Sequence, residues 1–487
     1  MSDQILHVDI CVIGAGSGGL SVAAGASQMG AKVALVEKSE MGGDCLNTGC
    51  VPSKALLAAG HAAQSMRDAA RFGVGITGQS GGEPGVQAQT PDVDWQQVHD
   101  HVHGVIAAIA PNDSQQRFEA MGVTVIRAAG RFEDKRTLRA ANQLIRAKYF
   151  VLATGSSAFV PPIEGLDQVD YFTNESIFSN SGTVEHLIVI GGGPIGLEMA
   201  QAHRRLGAKV TVMEMARLMM KDDPELSKIV IDRLAAEGMD FHEGGRDLSL
   251  EQGSDGKIIA RCRTDAGEQC AIGSHLLIAT GRRANVEGLN LQAAGVAYSA
   301  KGVQVDARLR SSNKRIFAIG DVAGPYQFTH MAAYQAGIVI RNMLFKLPAK
   351  VDYSAVPWVT FTDPELAHVG MSEADAKQAG KDIRVLRWHF DENDRAQAER
   401  RTEGLIKVIT APKGLILGAS IVGLHAGELI QPWILAISQK LKIGAMAAII
   451  APYPTLAEAN KRIAGSFYTE KLFSATTRRL VRFLMKF

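Results

Sequence analysis

The chain has few cysteines, few aromatic residues and almost no net charge. Of its 487 residues, 5 are cysteines and 6% are aromatic, and the formal net charge is +2 at pH 7. So few cysteines do not form the framework of a secreted, disulfide-rich protein, and a nearly neutral chain has no electrostatic footprint for nucleic acid. No apolar run is long enough to cross a membrane, and the first residues lack the basic region of a signal peptide. We therefore expect a cytoplasmic protein of about three domains that binds no nucleic acid.

Glycine, in contrast, is abundant, with 50 residues. The apolar run at residues 8–13 is typical of a buried parallel strand, and it leads into Gly14, Gly16 and Gly19 in the spacing G-x-G-x-x-G. An alanine-rich helical pattern follows, and a second strand ends at Glu37. Glycines let the backbone approach a pyrophosphate at the helix N-terminus, and the acid can accept hydrogen bonds from ribose hydroxyls. Strand, glycines, helix and acid together predict a dinucleotide-binding unit.

The same pattern occurs again 177 residues later. A strand at residues 187–190 leads into Gly191, Gly193 and Gly196, and the next strand ends at Glu214. The glycines and the acid keep one constant offset between the two units. Two dinucleotide-binding units in one chain predict two bound dinucleotides.

Two of the cysteines, Cys45 and Cys50, follow the first unit in the glycine-rich segment 42–54. Cysteines five residues apart can lie about one helical turn from each other, close enough to form and break a disulfide. The segment comes shortly after the strand that ends at Glu37, which places the thiol pair beside the first nucleotide site. Two dinucleotides and a redox-capable cysteine pair suggest an electron relay between nicotinamide, flavin and disulfide.

These motifs resemble those of the pyridine nucleotide–disulfide oxidoreductases, the family of lipoamide dehydrogenase, glutathione reductase and mercuric reductase. The resemblance runs nearly end to end, and the pattern is most similar to the mercuric reductases and the dihydrolipoamide dehydrogenases. Four further runs support the resemblance. Residues 153–155 and 279–281 are similar to the crossovers between domains. Residues 317–321 are similar to the second flavin motif, and residues 361–365 to the start of the dimerisation domain.

The resemblance implies an α/β fold with two Rossmann-like domains, one for FAD and one for NAD(P), and a C-terminal α+β dimerisation domain. The expected boundaries are 1–155 with 282–350 for FAD, 156–281 for NAD(P)H and 351–487 for the interface of a homodimer. A segment rich in Gly, Ser, Gln and Pro, about residues 75–91, predicts a surface loop. The residues expected to bind the two cofactors are Gly14, Gly16, Gly19, Glu37, Lys54, Thr154, Gly155, Gly191, Gly193, Gly196, Glu214, Gly281, Gly320 and Asp321.

The resemblance also assigns roles to four side chains. Cys50 is the thiol nearest the flavin, and Cys45 is the interchange thiol that attacks the substrate. Lys54 lies near the flavin, with Glu198 as its acidic partner. The chemistry is reasonable, because a thiolate near a helix N-terminus has a lowered pKa and the thiolate is the nucleophile.

The chain departs from the lipoamide and glutathione reductases at residue 453. Those enzymes carry a His-Pro-Thr run followed by a Glu, and this His, from the other subunit, is the general acid–base. Here the spacing is kept but the run begins with Tyr453 and reaches Glu458. A phenol titrates near pH 10, so Tyr453 can donate a proton or bind a thiol–metal adduct but is a poor base at pH 7. Both residues remain candidates for catalysis.

The identity of the electron acceptor stays open at this point. Mercuric reductases also carry Tyr here, but they end in a vicinal cysteine pair, and residues 477–487 contain no cysteine. We favour an FAD-dependent NAD(P)H oxidoreductase acting on a thiol-bound metal, ahead of a reductase of lipoamide or another small disulfide. A low-turnover redox sensor or membrane-associated interaction protein is the third hypothesis. No resident metal site is expected.

Two smaller features bear on partners. An acid at the position of Glu214 favours NADH over NADPH, while Arg217 could restore binding of NADPH. In the tail, Leu480, Phe483, Leu484 and Phe487 share one helical face with basic residues around it. This pattern predicts either a docking helix or weak contact with a membrane surface.

Overall fold

The computed structural model describes residues 5–75 and 91–487. Most of the loop predicted near residues 75–91 lies outside the described residues. Within the described ranges, no helix combines the length and the apolar character that crossing a bilayer requires.

The α-helices are α1 (Ser17–Gln28), α2 (Gly43–Asn47), α3 (Cys50–Asp68), α4 (Trp95–Ile109), α5 (Gln115–Ala120), α6 (Pro194–Arg205), α7 (Pro224–Ala236), α8 (Thr329–Met343), α9 (Glu373–Gln378), α10 (Asp394–Ala398), α11 (Ala426–Leu429), α12 (Gln431–Ser438), α13 (Ile443–Ala447), α14 (Glu458–Ser466), α15 (Thr469–Leu472) and α16 (Ala475–Leu484).

The strands are β1 (Ile5–Ile13), β2 (Val33–Glu37), β3 (Thr124–Arg127), β4 (Gly130–Phe132), β5 (Thr137–Ala140), β6 (Gln143–Leu152), β7 (Ser156–Ala158), β8 (His186–Ile190), β9 (Lys209–Met213), β10 (Asp240–His242), β11 (Arg246–Gln252), β12 (Ile258–Thr264), β13 (Gly267–Gly273), β14 (His275–Ile278), β15 (Arg282–Ala284), β16 (Tyr298–Ser299), β17 (Gly302–Val303), β18 (Ile316–Ala318), β19 (Pro357–Thr360), β20 (Glu365–Gly370), β21 (Arg384–His389), β22 (Leu405–Thr410) and β23 (Ile416–Gly423).

The chain divides into two compact units. Unit 1 comprises residues 1–215 and 242–351, and unit 2 comprises residues 216–241 and 352–487. The segment that contains α7 therefore groups with unit 2, where its acidic N-terminus pairs with Lys407 of β22.

The first sheet of unit 1 has the order β3-β2-β1-β6-β5-β4, and β18 also pairs with β6. The pairs β1–β2, β1–β6, β2–β3 and β6–β18 are parallel. The central strands are buried on both faces, as the apolar run at residues 8–13 predicts: Ile10, Cys11 and Val12 are fully buried. Pairing of β18 with β6 returns the chain to this sheet after the second nucleotide unit.

The second sheet of unit 1 has the order β10-β9-β8-β14, and β8 is parallel to both of its neighbours. Strand β8 pairs with β9 and with β14, in a register that sets Ile190 opposite both Met213 and Ile278. Helix α6 follows β8 directly, and its buried face includes Leu197, Met199 and Ala200. Both glycine-rich loops thus join the carboxyl end of a parallel strand to a helix, which is the position where open α/β sheets bind ligands.

Unit 2 is built on an antiparallel sheet with the order β19-β20-β23-β22-β21. Strand β22 is buried along its whole length, because helices cover the sheet. Fully buried Trp433 of α12 donates its indole N–H to Asn460 of α14 at 2.8 Å. The hydrogen bond satisfies the polar atom of this large core side chain.

Candidate active site

The first dinucleotide loop is packed so tightly that two positions admit only glycine. Gly14 has φ +105°, and a Cβ there would lie 2.3 Å from the carbonyl oxygen of Ala153. A Cβ on Gly19 would lie 1.8 Å from the carbonyl oxygen of Gly14. At Gly16, by contrast, the nearest atom to a Cβ would be 3.9 Å away. Gly16 also caps α1 without a side-chain acceptor, so the first N–H groups of the helix suit a phosphate.

Glu37 closes this loop from the end of β2. One of its carboxylate oxygens accepts from the backbone N–H of Ala15 and the other from that of Ser39, both at 2.6 Å. Each oxygen keeps a second lone pair, so the buried carboxylate can hold the loop and still accept a ribose hydroxyl.

The second loop repeats this construction. Gly191 has φ +114°, and a Cβ there would lie 2.4 Å from the carbonyl oxygen of Ala279, while a Cβ on Gly196 would lie 2.1 Å from the oxygen of Gly191. No atom lies within 4 Å of a Cβ on Gly193. Glu214 accepts from the backbone N–H of Gly192 at 2.7 Å. The two loops therefore share both the forced glycines and the open one that a dinucleotide needs.

The two predicted crossovers carry glycines in left-handed conformations, with φ +67° at Gly155 and +126° at Gly281. The Thr154 hydroxyl donates to the backbone carbonyl oxygen of Asn285 at 2.7 Å. The side-chain amide of Asn285 donates to the backbone carbonyl oxygen of Thr154 at 2.9 Å. Gly281 accepts from the N–H of Phe159 at 2.9 Å. These bonds fix the segment after the second sheet of unit 1 against the segment before that sheet.

Asp321 lies just after β18. The Ser156 hydroxyl donates to its carboxylate at 2.6 Å, and the Arg282 guanidinium lies 3.9 Å from the same oxygen. Burial raises the pKa of Asp321, and Ser156 and Arg282 counteract that shift. Its neighbour Gly320 has φ +69° and donates its N–H to Gln335 at 2.7 Å. Asp321 is thus an acid held at the carboxyl edge of the first sheet.

The cysteine segment is pressed against the first dinucleotide loop. The N–H of Gly42 donates to the carbonyl oxygen of Ala15 at 2.9 Å. Gly43 has φ +61°, and a Cβ there would lie 2.7 Å from the Cα of Gly16. Helix α2 then carries Cys45, and Cys50 begins α3. The turn makes the thiol pair a direct neighbour of the loop that suits a phosphate.

Both thiols of the pair are free, and they interact. Hydrogen bonding from the Cys45 thiol lowers the pKa of Cys50 to about 6; burial opposes this shift, and the Thr329 hydroxyl and the charge of Lys54 support it. The Thr329 oxygen lies 3.4 Å from the Cys50 sulfur. The interaction with Cys50, together with burial, raises the pKa of Cys45. The hydrogen bond between the two thiols therefore favours the thiolate on Cys50 and the proton on Cys45.

Lys54 and Glu198 are brought together from α3 and α6. The lysine Nζ lies 2.7 Å from a carboxylate oxygen of Glu198, whose side chain is only 6% exposed. A buried carboxylate of this kind fixes the position of the ammonium group one helical turn beyond Cys50.

Sequence reasoning missed a polar cluster around Asp44, the residue before Cys45. Its carboxylate accepts from the Thr48 hydroxyl at 3.0 Å and from the Asn174 amide at 3.1 Å, and it lies 3.2 Å from the Arg282 guanidinium. Arg282 directly follows Gly281 of the second crossover, and this position is a signal from which Arg282 could have been predicted as a site residue. Asn174 has no local signal, because its contact joins residues 130 positions apart.

Tyr453 and Glu458 lie in unit 2. The Tyr453 hydroxyl donates to Asp394 at 2.7 Å, and this hydrogen bond raises the pKa of the phenol. Glu458 pairs instead with Arg462, one turn along α14, at 2.7 Å. Tyr453 is 66% exposed in the single chain. The carboxylate partner of the phenol is thus Asp394, and a raised pKa makes Tyr453 a still poorer base.

Residues 8–336 match the family described as Pyridine nucleotide-disulphide oxidoreductase, which is more than half of the chain. The chain belongs to this family. Residues 356–464 match the dimerisation domain of the pyridine nucleotide-disulphide oxidoreductases, and the protein is a homodimer. The resemblance read from the motifs and the predicted fold class are both confirmed.

Relatives match almost the whole chain. A mercuric reductase of Staphylococcus aureus is 36% identical over 464 residues, which are 94% of this chain and 82% of the relative. A dihydrolipoyl dehydrogenase of Thermus scotoductus is 32% identical over 92% of this chain and 95% of its own length. The HOCl-induced flavoprotein disulfide reductase RclA of Escherichia coli has the same fold, with a TM-score of 0.81 and 24% identity over 94% of this chain and 99% of its own.

As a member of this family, the protein is an FAD-dependent oxidoreductase that uses NAD(P)H. The two loops fit these cofactors, because each combines forced glycines, one open glycine and an acid at the strand end. No group of three or more His, Cys, Asp or Glu side chains within residues 5–75 and 91–487 is arranged to hold a metal ion.

Proposed function

We propose that the protein is a cytoplasmic, NADH-dependent reductase whose Cys45–Cys50 pair acts on a thiol-bound metal ion of the mercuric type. In this proposal the first loop and Asp321 would hold FAD, and the second loop would hold the nicotinamide dinucleotide. Bound FAD would supply the cysteine pair with electrons from the nicotinamide. The domain boundaries proposed from the motifs are 1–155 with 282–350, 156–281 and 351–487, and pairing of β18 with β6 supports the return of residues 282–350 to the FAD domain.

The observation that favours a metal acceptor is the hydrogen bond from Tyr453 to Asp394. Reduction of a disulfide to two thiols takes two electrons and two protons, and therefore benefits from an acid–base group near neutral pH. Reduction of a mercuric ion held by two thiolates to the metal takes two electrons and no proton. A phenol whose pKa is raised does not provide that base, and a metal acceptor does not require it.

The protonation state of the cysteine pair suits ligand exchange at such an ion. The Cys45 thiol replaces the first thiolate ligand, and its proton leaves with the departing thiol. The Cys50 thiolate then replaces the second ligand, which departs as a thiolate. The ion is now held by Cys45 and Cys50, and neither step requires a separate base. Lys54, positioned by Glu198, stabilises the thiolate.

Replacing Tyr453 by histidine tests this choice of acceptor. We expect the natural protein to oxidise NADH rapidly with thiol-complexed Hg(II) and slowly with oxidised lipoamide. Tyr453→His should raise turnover with lipoamide by roughly a hundredfold, the usual effect of a positioned acid–base group, and change turnover with Hg(II) only slightly. Tyr453→Phe is the matched control, since it keeps the ring without a titratable group. Rapid lipoamide reduction by the natural protein, or Hg(II) turnover no faster than with oxygen, would overturn the proposal.

The same loop geometry favours NADH over NADPH. Glu214 places a carboxylate where a 2′-phosphate would be repelled. Arg217, which could have offset it, donates to the Ser227 hydroxyl at 2.9 Å and to the carbonyl oxygens of Met219 and Asp222 at 3.1 and 2.9 Å. We expect kcat/KM to be about tenfold or more higher with NADH, since a like-charge contact costs over 1 kcal/mol. Glu214→Ser should remove most of this preference, and Glu185→Ser should not. Equal rates with both nucleotides would contradict the assignment.

We also propose that the tail makes weak contact with a membrane surface. The support is the exposed apolar face of α16 and the neighbouring Leu472 and Phe473, which are 57% and 65% exposed.

A further inference from the structure

Helix α16 presents an apolar face that the single chain does not cover. Leu480, Phe483, Leu484 and Phe487 are 55%, 57%, 57% and 97% exposed. The first three lie in the helix and Phe487 lies in the turn that follows it, and their spacing of three, four and seven residues sets them on one side. The Phe483 and Phe487 rings pack edge to face, 5.5 Å apart, so the apolar face is continuous.

The opposite side of the helix and of the turn after it carries four basic residues. Arg478, Arg479, Arg482 and Lys486 fall within about one third of the helix circumference, by the 100° rotation per residue of an α-helix. Residues 475–487 contain no Asp or Glu. Most of the charge is thus separated from the apolar face, as in helices that lie in the plane of a membrane interface.

Local bonds hold this helix in shape without burial of its apolar face. Ser474 caps the helix, because its hydroxyl oxygen accepts from the backbone N–H of Thr477 at 3.2 Å. The carbonyl oxygen of Ser474 accepts from the backbone N–H of Arg478 at 3.0 Å. The Thr477 hydroxyl donates to the carbonyl oxygen of Lys471 at 2.7 Å. A helix of this length is marginal in water on its own, so a surface that covers the apolar side would stabilise it further.

We propose that α16 binds the surface of an anionic lipid bilayer, with its apolar face between the acyl chains and its four basic side chains among acidic headgroups. This inference rests on the membrane contact proposed above and adds the lipid chemistry. The charge favours such a bilayer over a second copy of the helix, because acidic headgroups attract the four cationic groups and a second copy offers no acidic partner for them. The helix also lies outside residues 356–464, which match the dimerisation domain.

Sedimentation with vesicles tests the inference, using the full-length holoenzyme. We expect binding to vesicles of phosphatidylcholine with 30 mol% phosphatidylglycerol (about one anionic lipid in three), at least about tenfold weaker binding to pure phosphatidylcholine, and loss of binding in 0.5 M NaCl (a Debye length of roughly 4 Å). Phe483→Ser with Phe487→Ser should abolish binding by removing apolar contact. Arg478→Gln with Arg482→Gln should weaken binding to the anionic vesicles alone. Lys440→Gln with Lys442→Gln, on an exposed part of the same unit, is the matched control and should bind normally.

Three results would overturn the inference. Equal binding to neutral and anionic vesicles would remove the role of charge but keep the membrane contact. Absence of binding to either would remove both. An assembly larger than the dimer that Phe483→Ser dissolves would show that a second copy covers the helix. NADH oxidation by the same variants in solution should be unchanged, so failure of the membrane proposal and failure of the redox proposal are distinguishable.

Discussion

Replacing Cys45 by alanine is expected to lower turnover with every acceptor by on the order of a thousandfold or more, because it removes the thiol that exchanges with the acceptor. The variant should still bind both cofactors, since Cys45 contributes no atom to either glycine loop. Steady-state NADH oxidation with thiol-complexed Hg(II) measures the loss. Cys270→Ala, which removes an exposed cysteine of β13, is the control and should keep full activity. Residual activity within tenfold of the natural protein would exclude the proposed exchange.

The same variant also separates an electrostatic role from a covalent one. Hydrogen bonding from Cys45 is the main cause that lowers the pKa of Cys50, so Cys45→Ala should move the pKa of the remaining thiol upward, toward the roughly 8.5 of a free cysteine. The sign follows from loss of a donor to the thiolate. The rate of alkylation by iodoacetamide, measured against pH on the reduced protein, reports this shift without any turnover. An unchanged pH profile would mean that Lys54 and Thr329 alone stabilise the Cys50 thiolate.

The fold could be predicted because its signals are local and repeated. Gly14 and Gly191 are required by the close approach of a carbonyl oxygen, and Glu37 and Glu214 each hold the N–H of the loop residue beside them. Each dinucleotide-binding unit needs the same residue types at the same spacing, so the loop geometry can be predicted from two separate parts of the sequence. The position of the cysteine segment could be predicted as well, because its glycines are the residues that bring it against the first loop.

The rest of the site could not be predicted, because it depends on contacts between distant residues. Thr329 meets Cys50 across 279 positions, and Asn174 meets Asp44 across 130. Tyr453 is an example of a misleading local signal. The run that contains it suggests Glu458 as its carboxylate neighbour, but the acid that accepts from its hydroxyl is Asp394, at the start of α10 and 59 positions away. Side chains that reach a site from another element leave no periodic pattern.

An ion cluster in unit 2 is the second place where a single substitution should have a large effect. Lys407 of β22 is 5% exposed and lies 2.7, 2.9 and 2.8 Å from carboxylate oxygens of Asp223, Glu225 and Glu373. Replacing it by methionine would keep the volume but leave three acids close together without their shared cation. We expect Lys407→Met to lower the free energy of unfolding of unit 2 by about 3 kcal/mol. Lys228→Met, which breaks an exposed pair with Asp232, should cost under about 1 kcal/mol.

The pH dependence of unfolding provides a second test of the prediction for Lys407→Met. Arg387 and then Lys407 lower the pKa of Glu225 to about 2, and Lys377 and then Lys407 do the same for Glu373. Acids with a lowered pKa stabilise the folded state above their unfolded pKa of about 4.5, and that stability is lost as the pH falls from there toward 2. In Lys407→Met the loss between pH 4.5 and 2 should be shallower, since part of the stabilisation is already absent. Three of the four tryptophans, Trp358, Trp388 and Trp433, lie in unit 2, so fluorescence during urea unfolding follows this unit. Equal stability of Lys407→Met and Lys228→Met at pH 7 would show that the cluster is solvated and contributes little.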